Sequence, residues 1–265
     1  MPETSSSTDY LQSLFGLSGR LAVVIGGTGK LGGALADALA GAGATILIAG
    51  RDEPAGEEAV ARIRAAGGAA EFRSLDATRR EDHQALIGEL RREGRRCDIL
   101  VNAAGVNSAT PFLDISDEEW ERIFDVNLRA VQRACQEFGR WMIDSGGGAI
   151  INIASLSAIV PLSRVFTYSA SKAAVLNLTL NLAREWAPFG VRVNALSPGF
   201  FPAEQNRKVL TPDRQSSILT HTPMGRFGEP QELAGAALLL ASEQAGRFIT
   251  GINLVVDGGF MAQTI

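Results

Sequence analysis

Tyr168 and Lys172 stand four residues apart, a spacing that puts both side chains on one face of a helix, and Ser155 precedes them by 13 and 17 positions. Together these residue types can move a proton at an oxygen atom. A phenol with its ordinary pKa near 10 is a poor base at neutral pH. A neighbouring ammonium stabilises the phenolate and lowers that pKa, and a serine hydroxyl can hold a reacting oxygen against the tyrosine. Reduction of a carbonyl needs such a proton donor, and oxidation of an alcohol needs the corresponding base. The bland alternative is a tyrosine packed in the core and a lysine reaching past it to solvent.

Such a set works only if separate elements bring it to one place. Short apolar runs alternate with helical patterns along all 265 residues. The runs 20–26, 44–50, 70–76, 97–105, 148–155, 191–199 and 251–259 read as strands, most of them apolar without interruption. Between them lie small-residue and charged helical segments, several closed by glycine. A charged helix is expected over 79–93, one long helix over 117–144 with Ser116 as its N-cap, and another over 167–187. A further helix is expected from Glu229 to Glu243. Alternation of this kind is the pattern of an α/β chain with a parallel sheet buried on both faces. Residues 18–265 are expected to form one doubly wound domain of about seven strands, after a flexible, Ser/Thr-rich tail over 1–17.

The loop after the first strand, "GGTGKLGG", carries glycines in two registers. One reads Gly26, Gly29, Gly32; the other puts Lys30 where a middle glycine belongs. Its position, closing a strand and opening a helix, is that of a dinucleotide site, where backbone N–H groups face a pyrophosphate. Three more stretches fall at carboxyl ends of strands, where open α/β sheets bind ligands: Asn102–Gly105, Ser155, and Ser197–Gly199.

In this order and spacing the chain resembles the short-chain dehydrogenase/reductases over about residues 18–260. The matching residues are the glycine loop, Asp76, "NAAG" at 102–105, Asn127, Ser155, "YSASK" at 168–172, "VRVNALSPG" and "ITGINLVVDGG". The resemblance implies a single Rossmann-type catalytic domain that interconverts a secondary alcohol and a ketone with NAD(P). It implies Asn127, Ser155, Tyr168 and Lys172 as the catalytic set. Asn127 would hold a water linking Lys172 to solvent, and Lys172 would also bind the ribose on the nicotinamide side. Cofactor contacts would come from Gly26, Thr28, Gly29, Lys30, Leu31 and Gly32, from Arg51, from Asp76 and Ala77, and from Asn102, Ala103, Ala104 and Gly105. Pro198, Gly199 and Phe201 would complete them, with Tyr168 and Lys172. The chain departs from the usual pattern at Ile25, Lys30 and Ala203, and Gly29 is expected to supply the turn in place of a glycine at 30.

At the end of the second strand, Gly50 occupies the position of the acid that selects NAD, and Arg51 follows. A guanidinium without that acid favours the 2′-phosphate of NADP(H), with Lys30 as a second charge, while NAD(H) remains possible through Asp52. In the alternative, Arg51 pairs with Asp52 or Glu53. The segment from Phe200 to about 228 is expected to form the lid over the substrate. "PGFFPAEQNR" and "HTPMGRFGEP" resemble the mannonate/fructuronate oxidoreductases and sugar-acid dehydrogenases. Ser155, Asn107, Arg164 and Arg207 are the candidate substrate contacts, the arginines for a carboxylate. Reduction of a 3-oxoacyl thioester on an acyl carrier protein is the alternative activity, and a catalytically silent cofactor-binding regulator is the third.

A net charge of −4 gives no reason to expect nucleic acid or an anionic membrane as partner. No apolar run reaches the roughly 18 residues of a membrane helix. The start of the chain lacks the pattern of a signal peptide. Two isolated cysteines, Cys97 and Cys135, suit a reducing cytoplasm. His83, in a charged stretch, is expected to be exposed, and no metal site is expected. The resemblance also implies pairing of the helices 117–144 and 167–187 about two-fold axes, in a homotetramer or else a dimer.

Overall fold

The computed structural model describes residues 7–202 and 211–263. The strands are β1 (Leu21–Ile25), β2 (Thr45–Gly50), β3 (Ala69–Ser74), β4 (Ile99–Asn102), β5 (Gly148–Ile153), β6 (Val191–Pro198) and β7 (Asn253–Val256). They form one sheet in the order β3-β2-β1-β4-β5-β6-β7, parallel at every pairing. The order reverses between β1 and β4, the switch point at which such sheets open a crevice. Ile25 is in register with Ala49 on one side and Asn102 on the other, and Asn102 with Asn152. The carboxyl ends of four strands therefore finish on one rim.

The helices are α1 (Ser7–Phe15), α2 (Lys30–Gly41), α3 (Glu53–Ala65), α4 (Arg80–Arg92), α5 (Asp117–Phe124), α6 (Ala130–Asp144), α7 (Phe166–Trp186), α8 (Pro212–Thr220) and α9 (Ala234–Ala241). Two apolar cores flank the sheet. One joins Val24, Ile46, Ile48 and Val101 to Leu35, Leu39, Val60, Ile63 and Leu240. The other joins Val23, Leu47, Leu100 and Ile150 to Leu86, Leu90, Phe138, Met142 and Val175. Fully buried strands of this kind explain the uninterrupted apolar runs. Ser116 accepts a hydrogen bond from Glu119 N at the start of α5, as its N-cap position predicts.

Four expectations need correction. Residues 7–15 are helical rather than a flexible tail: α1 leads to the buried Leu17, and Leu14 O accepts from Ser242 Oγ at 2.5 Å. The helix expected over 117–144 is interrupted by a π-helical turn, Asp125–Arg129, between α5 and α6. The helix expected from Glu229 opens as a 3₁₀ turn, Pro230–Leu233, and α9 stops at Ala241. His83 is buried, not exposed. Its Nε2 lies 2.9 Å from Ala77 O and its ring meets Phe138 edge-on, so a residue in a charged stretch is turned inward by the amphipathic helix that carries it.

Candidate active site

Ser155 follows β5, Tyr168 sits in the first turn of α7, and Lys172 lies one turn further on. Ser155 Oγ accepts from Ser157 N at 3.2 Å and from Ser157 Oγ at 3.1 Å, which leaves its own proton free to face Tyr168. Lys172 is buried, donates to Ile153 O at 2.7 Å, and places Nζ 5.8 Å from the centre of the Tyr168 ring. Burial pulls the Lys172 ammonium down to about 8. Burial pushes Tyr168 above its ordinary value and the Ser155 hydrogen bond only partly offsets this, so the chain's own groups hold the tyrosine protonated at neutral pH.

Asn127 lies on the π turn, fully buried. Turns of this type recur at functional sites because the extra residue re-aims one side chain. Its Oδ1 accepts from Val106 N at 2.8 Å, while Nδ2 donates to Val106 O at 2.9 Å and to Ser171 Oγ at 3.0 Å. Ser171 Oγ in turn donates to Tyr168 O at 2.7 Å. The side chain thus clamps the loop after β4 to α7. A Cβ on Gly105 would stand 3.4 Å from Asn127 Oδ1 and 3.5 Å from Lys172 Nζ, so these residues meet at one point.

Beside this centre a cleft of about 570 Å³ is lined by Asn107, Ser155, Ser157, Tyr168, Phe200, Phe201 and Arg214, among others. Leu156, Leu162 and Val165 give it an apolar side. Of the expected substrate contacts, Asn107 and Ser155 line this cleft. Arg164 is exposed, does not line the cleft and has a left-handed backbone (φ 62°); Arg207 lies outside the described residues. Arg214 and Ser157 were missed. The "TPD" signal of a helix start, Thr211 capping Arg214 N at 3.3 Å, was available to place Arg214.

A second cleft, of about 220 Å³, runs across the switch point between Gly26, Thr28, Gly29, Gly50, Arg51, Asp76, Ala77 and Ala104. Gly26 has φ +82°, and a Cβ there would come within 2.5 Å of Ala104 N. A Cβ on Gly32 would strike Gly26 O at 2.3 Å. Gly29 does not supply the turn as expected: its backbone is extended and its Cβ would meet Gly26 O at an ordinary 3.4 Å. Gly26 and Gly32 therefore let this loop close tightly on its own backbone and on the turn at 103–104. Leu31 packs into the core, and Lys30 reaches the other way, Nζ to Pro202 O at 3.4 Å, rather than joining Arg51. Ala103 and Gly105 line this cleft, but Asn102 turns its side chain into the core, donating to Asn152 Oδ1 at 2.8 Å. Pro198 is buried at the end of β6, and Gly199 and Phe201 face the larger cleft.

Asp52 is committed as the N-cap of α3, accepting from Ala55 N at 3.1 Å. Arg51 lies 4.0 Å from Asp76 and not against Asp52 or Glu53. The Asp76 carboxyl is lowered, because its hydrogen bonds from Thr78 and the nearby Arg51 and Arg79 outweigh burial. The 76–78 loop is pinned from below, Asp76 N to Asp82 Oδ2 at 2.9 Å, Ala77 O by His83, and Thr78 O by Arg133.

Among the described residues no helix is long and apolar enough to cross a membrane, and no cluster of metal-ligating side chains forms. A family model described as "Enoyl-(Acyl carrier protein) reductase" matches residues 29–261. The galactitol 2-dehydrogenase of Rhizobium johnstonii is 40% identical, over 94% of this chain and 98% of its own length. The NAD-dependent glycerol dehydrogenase of Listeria innocua is 34% identical, over 93% and 95%. A crystal structure of a gluconate 5-dehydrogenase from Burkholderia cenocepacia, in complex with NADP and tartrate, superposes with a TM-score of 0.91. It is 36% identical and covers 96% of this chain and 100% of its own.

Proposed function

The chain belongs to the short-chain dehydrogenase/reductase family, and from that premise we propose that it is an NADP(H)-preferring oxidoreductase that interconverts a secondary alcohol and a ketone on a polyol or sugar acid. The observation that carries this reading is that Tyr168 and Ser155 line the larger cleft while Lys172, beside the Tyr168 ring, also reaches Gly105 at the wall of the smaller one. The tight loop at Gly26 and Gly32, which closes β1 and opens α2, suits a dinucleotide pyrophosphate, and a Cβ on either glycine would strike the loop's own surrounding backbone. When bound, the nicotinamide supplies or accepts the hydride. Every other step falls to the chain.

Ser155 orients the substrate oxygen with the proton that Ser157 leaves free. Tyr168, held protonated by burial, delivers its proton to that oxygen in reduction and must take one back in oxidation. Lys172, pulled down to about 8, titrates close enough to neutrality to exchange a proton in the pH range of turnover. Asn127 keeps the 105–106 loop against α7 and fixes the distance between them. NADP is favoured over NAD because Gly50 offers no carboxylate, Asp52 is spent on capping α3, and Arg51 stands exposed at the cleft edge.

The same reading carries a homotetramer. Phe112, Leu113, Trp120, Phe166 and Leu180 are exposed on and around α5 and α7, more apolar surface than one copy needs to leave open. Light scattering after gel filtration that returned a monomer would overturn that part.

The deciding experiment follows coenzyme absorbance with fructuronate and related keto-sugar acids, galactitol and an acetoacetyl thioester, each with NADPH or NADP⁺ and with NADH or NAD⁺. Turnover of the sugar acids or the polyol is the expected result. Turnover of the thioester alone would replace this reading with the acyl-carrier-protein activity.

A further inference from the structure

Arg214 is the one charged side chain among the described residues that line the substrate cleft. It is half-buried, and Nη2 donates to Ser163 O at 3.0 Å. Among the described residues no carboxylate pairs with it. Among the described residues of the 200–228 segment the other arginine, Arg226, is by contrast matched on two nitrogens to Glu232, at 2.6 and 2.8 Å.

Its placement runs against two local preferences. Arg214 lies in the first turn of α8, the end of a helix that disfavours a cation. The carbonyl that holds it comes from the residue before Arg164, whose left-handed backbone (φ 62°) is unusual for a residue with a side chain. Costs of this kind gather where a site fixes a group for its ligand. A guanidinium held by one N–H retains donors for a carboxylate, in the forked geometry that lysine cannot copy.

We propose that Arg214 anchors a substrate carboxylate, so that the cleft selects a hydroxy or oxo acid over the neutral polyol of the same carbon skeleton. This deepens the function proposed above and rests on it. The apolar side of the cleft then faces the carbon chain, while Ser155 and Tyr168 take the reacting oxygen.

The experiment compares D-gluconate with D-glucitol, which differ in whether the first carbon is a carboxylate. Calorimetric titration of each into the coenzyme-loaded protein is paired with steady-state kinetics, for wild type, Arg214→Gln and Arg214→Lys. Wild type is expected to bind gluconate more tightly. Arg214→Gln should weaken gluconate binding roughly 10–100-fold, the range of a lost charge-assisted pair, and leave glucitol within a factor of two. The loss should appear in KM rather than kcat, and Arg214→Lys should recover part of it. Equal affinities of wild type for the two ligands, or an unchanged gluconate preference in Arg214→Gln, would overturn the inference. So would equal losses for both ligands, which would make Arg214 merely structural. Because binding is read directly, these outcomes are separate from failure of the oxidoreductase reading, which appears as absent turnover of both compounds.

Discussion

The cleft lined by Tyr168 and the cleft lined by Gly105, with Lys172 between them, are built from different materials. The dinucleotide side is shaped by backbone: Gly26 and Gly32 have no room for a side chain, and the strand ends that face them are fixed by sheet register. The substrate side is shaped by side chains delivered from three loops and a helix, with Asn107 after β4, Ser157 after β5, Phe200 after β6 and Arg214 on α8. A backbone-shaped site tolerates almost no change at a few positions. A side-chain-shaped site can change its ligand by single substitutions while the fold stands, which is how one architecture serves polyols and sugar acids.

The sharpest way to break this comparison is at the junction. Tyr168→Phe removes the proton donor and leaves the ring that packs at the start of α7. Turnover should fall about 1,000-fold, within the range of general acid–base catalysis, while coenzyme affinity measured by fluorescence titration stays within a few-fold. Parallel loss of both would mean that the phenol is part of the dinucleotide site and that the two clefts are not separable.

Next in size is the backbone cradle itself. In Gly32→Ala the new methyl meets Gly26 O at 2.3 Å, a backbone atom that cannot turn aside. Coenzyme affinity should drop roughly 100-fold, the scale of overpacking a closed site. Gly29→Ala, with 3.4 Å and no positive φ, should change it by less than threefold. Equal effects at the two positions would restore the register in which Gly29 makes the turn.

Lys172 tests the junction through pH. An unfolded lysine loses its proton near 10.4, while the buried one does so at about 8. Below pH 8 both states carry the proton and the penalty of burying the charge is present in full. Between pH 8 and 10 the unfolded chain holds the extra proton, so this residue makes stability rise with pH. The gain should be about 2 kcal/mol over that window in wild type relative to Lys172→Met, read from urea unfolding at each pH. Above pH 10 the raised Tyr168 opposes it, because the unfolded tyrosine ionises first. A flat difference between the two proteins from pH 8 to 10 would show that Lys172 is not desolvated.

What was legible in the sequence follows the same division. Alternating apolar runs announce the parallel sheet, since strands buried on both faces have no polar face to show. The order of Ser155, Tyr168 and Lys172 announces the proton chemistry. The π turn at Asp125–Arg129 was not legible, because "DVNLR" carries helix-compatible residues and a π turn has no composition of its own. His83 was misread for a related reason, as charge in the sequence around it says nothing about which face of α4 it occupies. Lys30 looked like a phosphate ligand from spacing alone, but the first residue of α2 points toward Pro202. The "TPD" signal puts Arg214 in the first turn of a helix but not in the cleft, because that depends on how a distant loop at Ser163 folds back.

The smallest predicted effect lies at the one edge of the dinucleotide cleft where a side chain, not backbone, sets the choice. Arg51 is exposed and only 4.0 Å from Asp76, a pair too open to contribute much to stability. Arg51→Ala should leave unfolding unchanged and raise KM for NADPH about tenfold, the worth of one charge-assisted contact to a partly solvated phosphate, while KM for NADH moves by less than twofold. Freed from Arg51, the Asp76 carboxyl loses one of the groups that lower it, although Thr78 still holds it down through two hydrogen bonds. Equal losses for the two coenzymes would mean that Arg51 acts on the 76–78 loop rather than on the 2′-phosphate. The dinucleotide side would then be shaped by backbone throughout, and the choice between NAD and NADP would have to lie elsewhere.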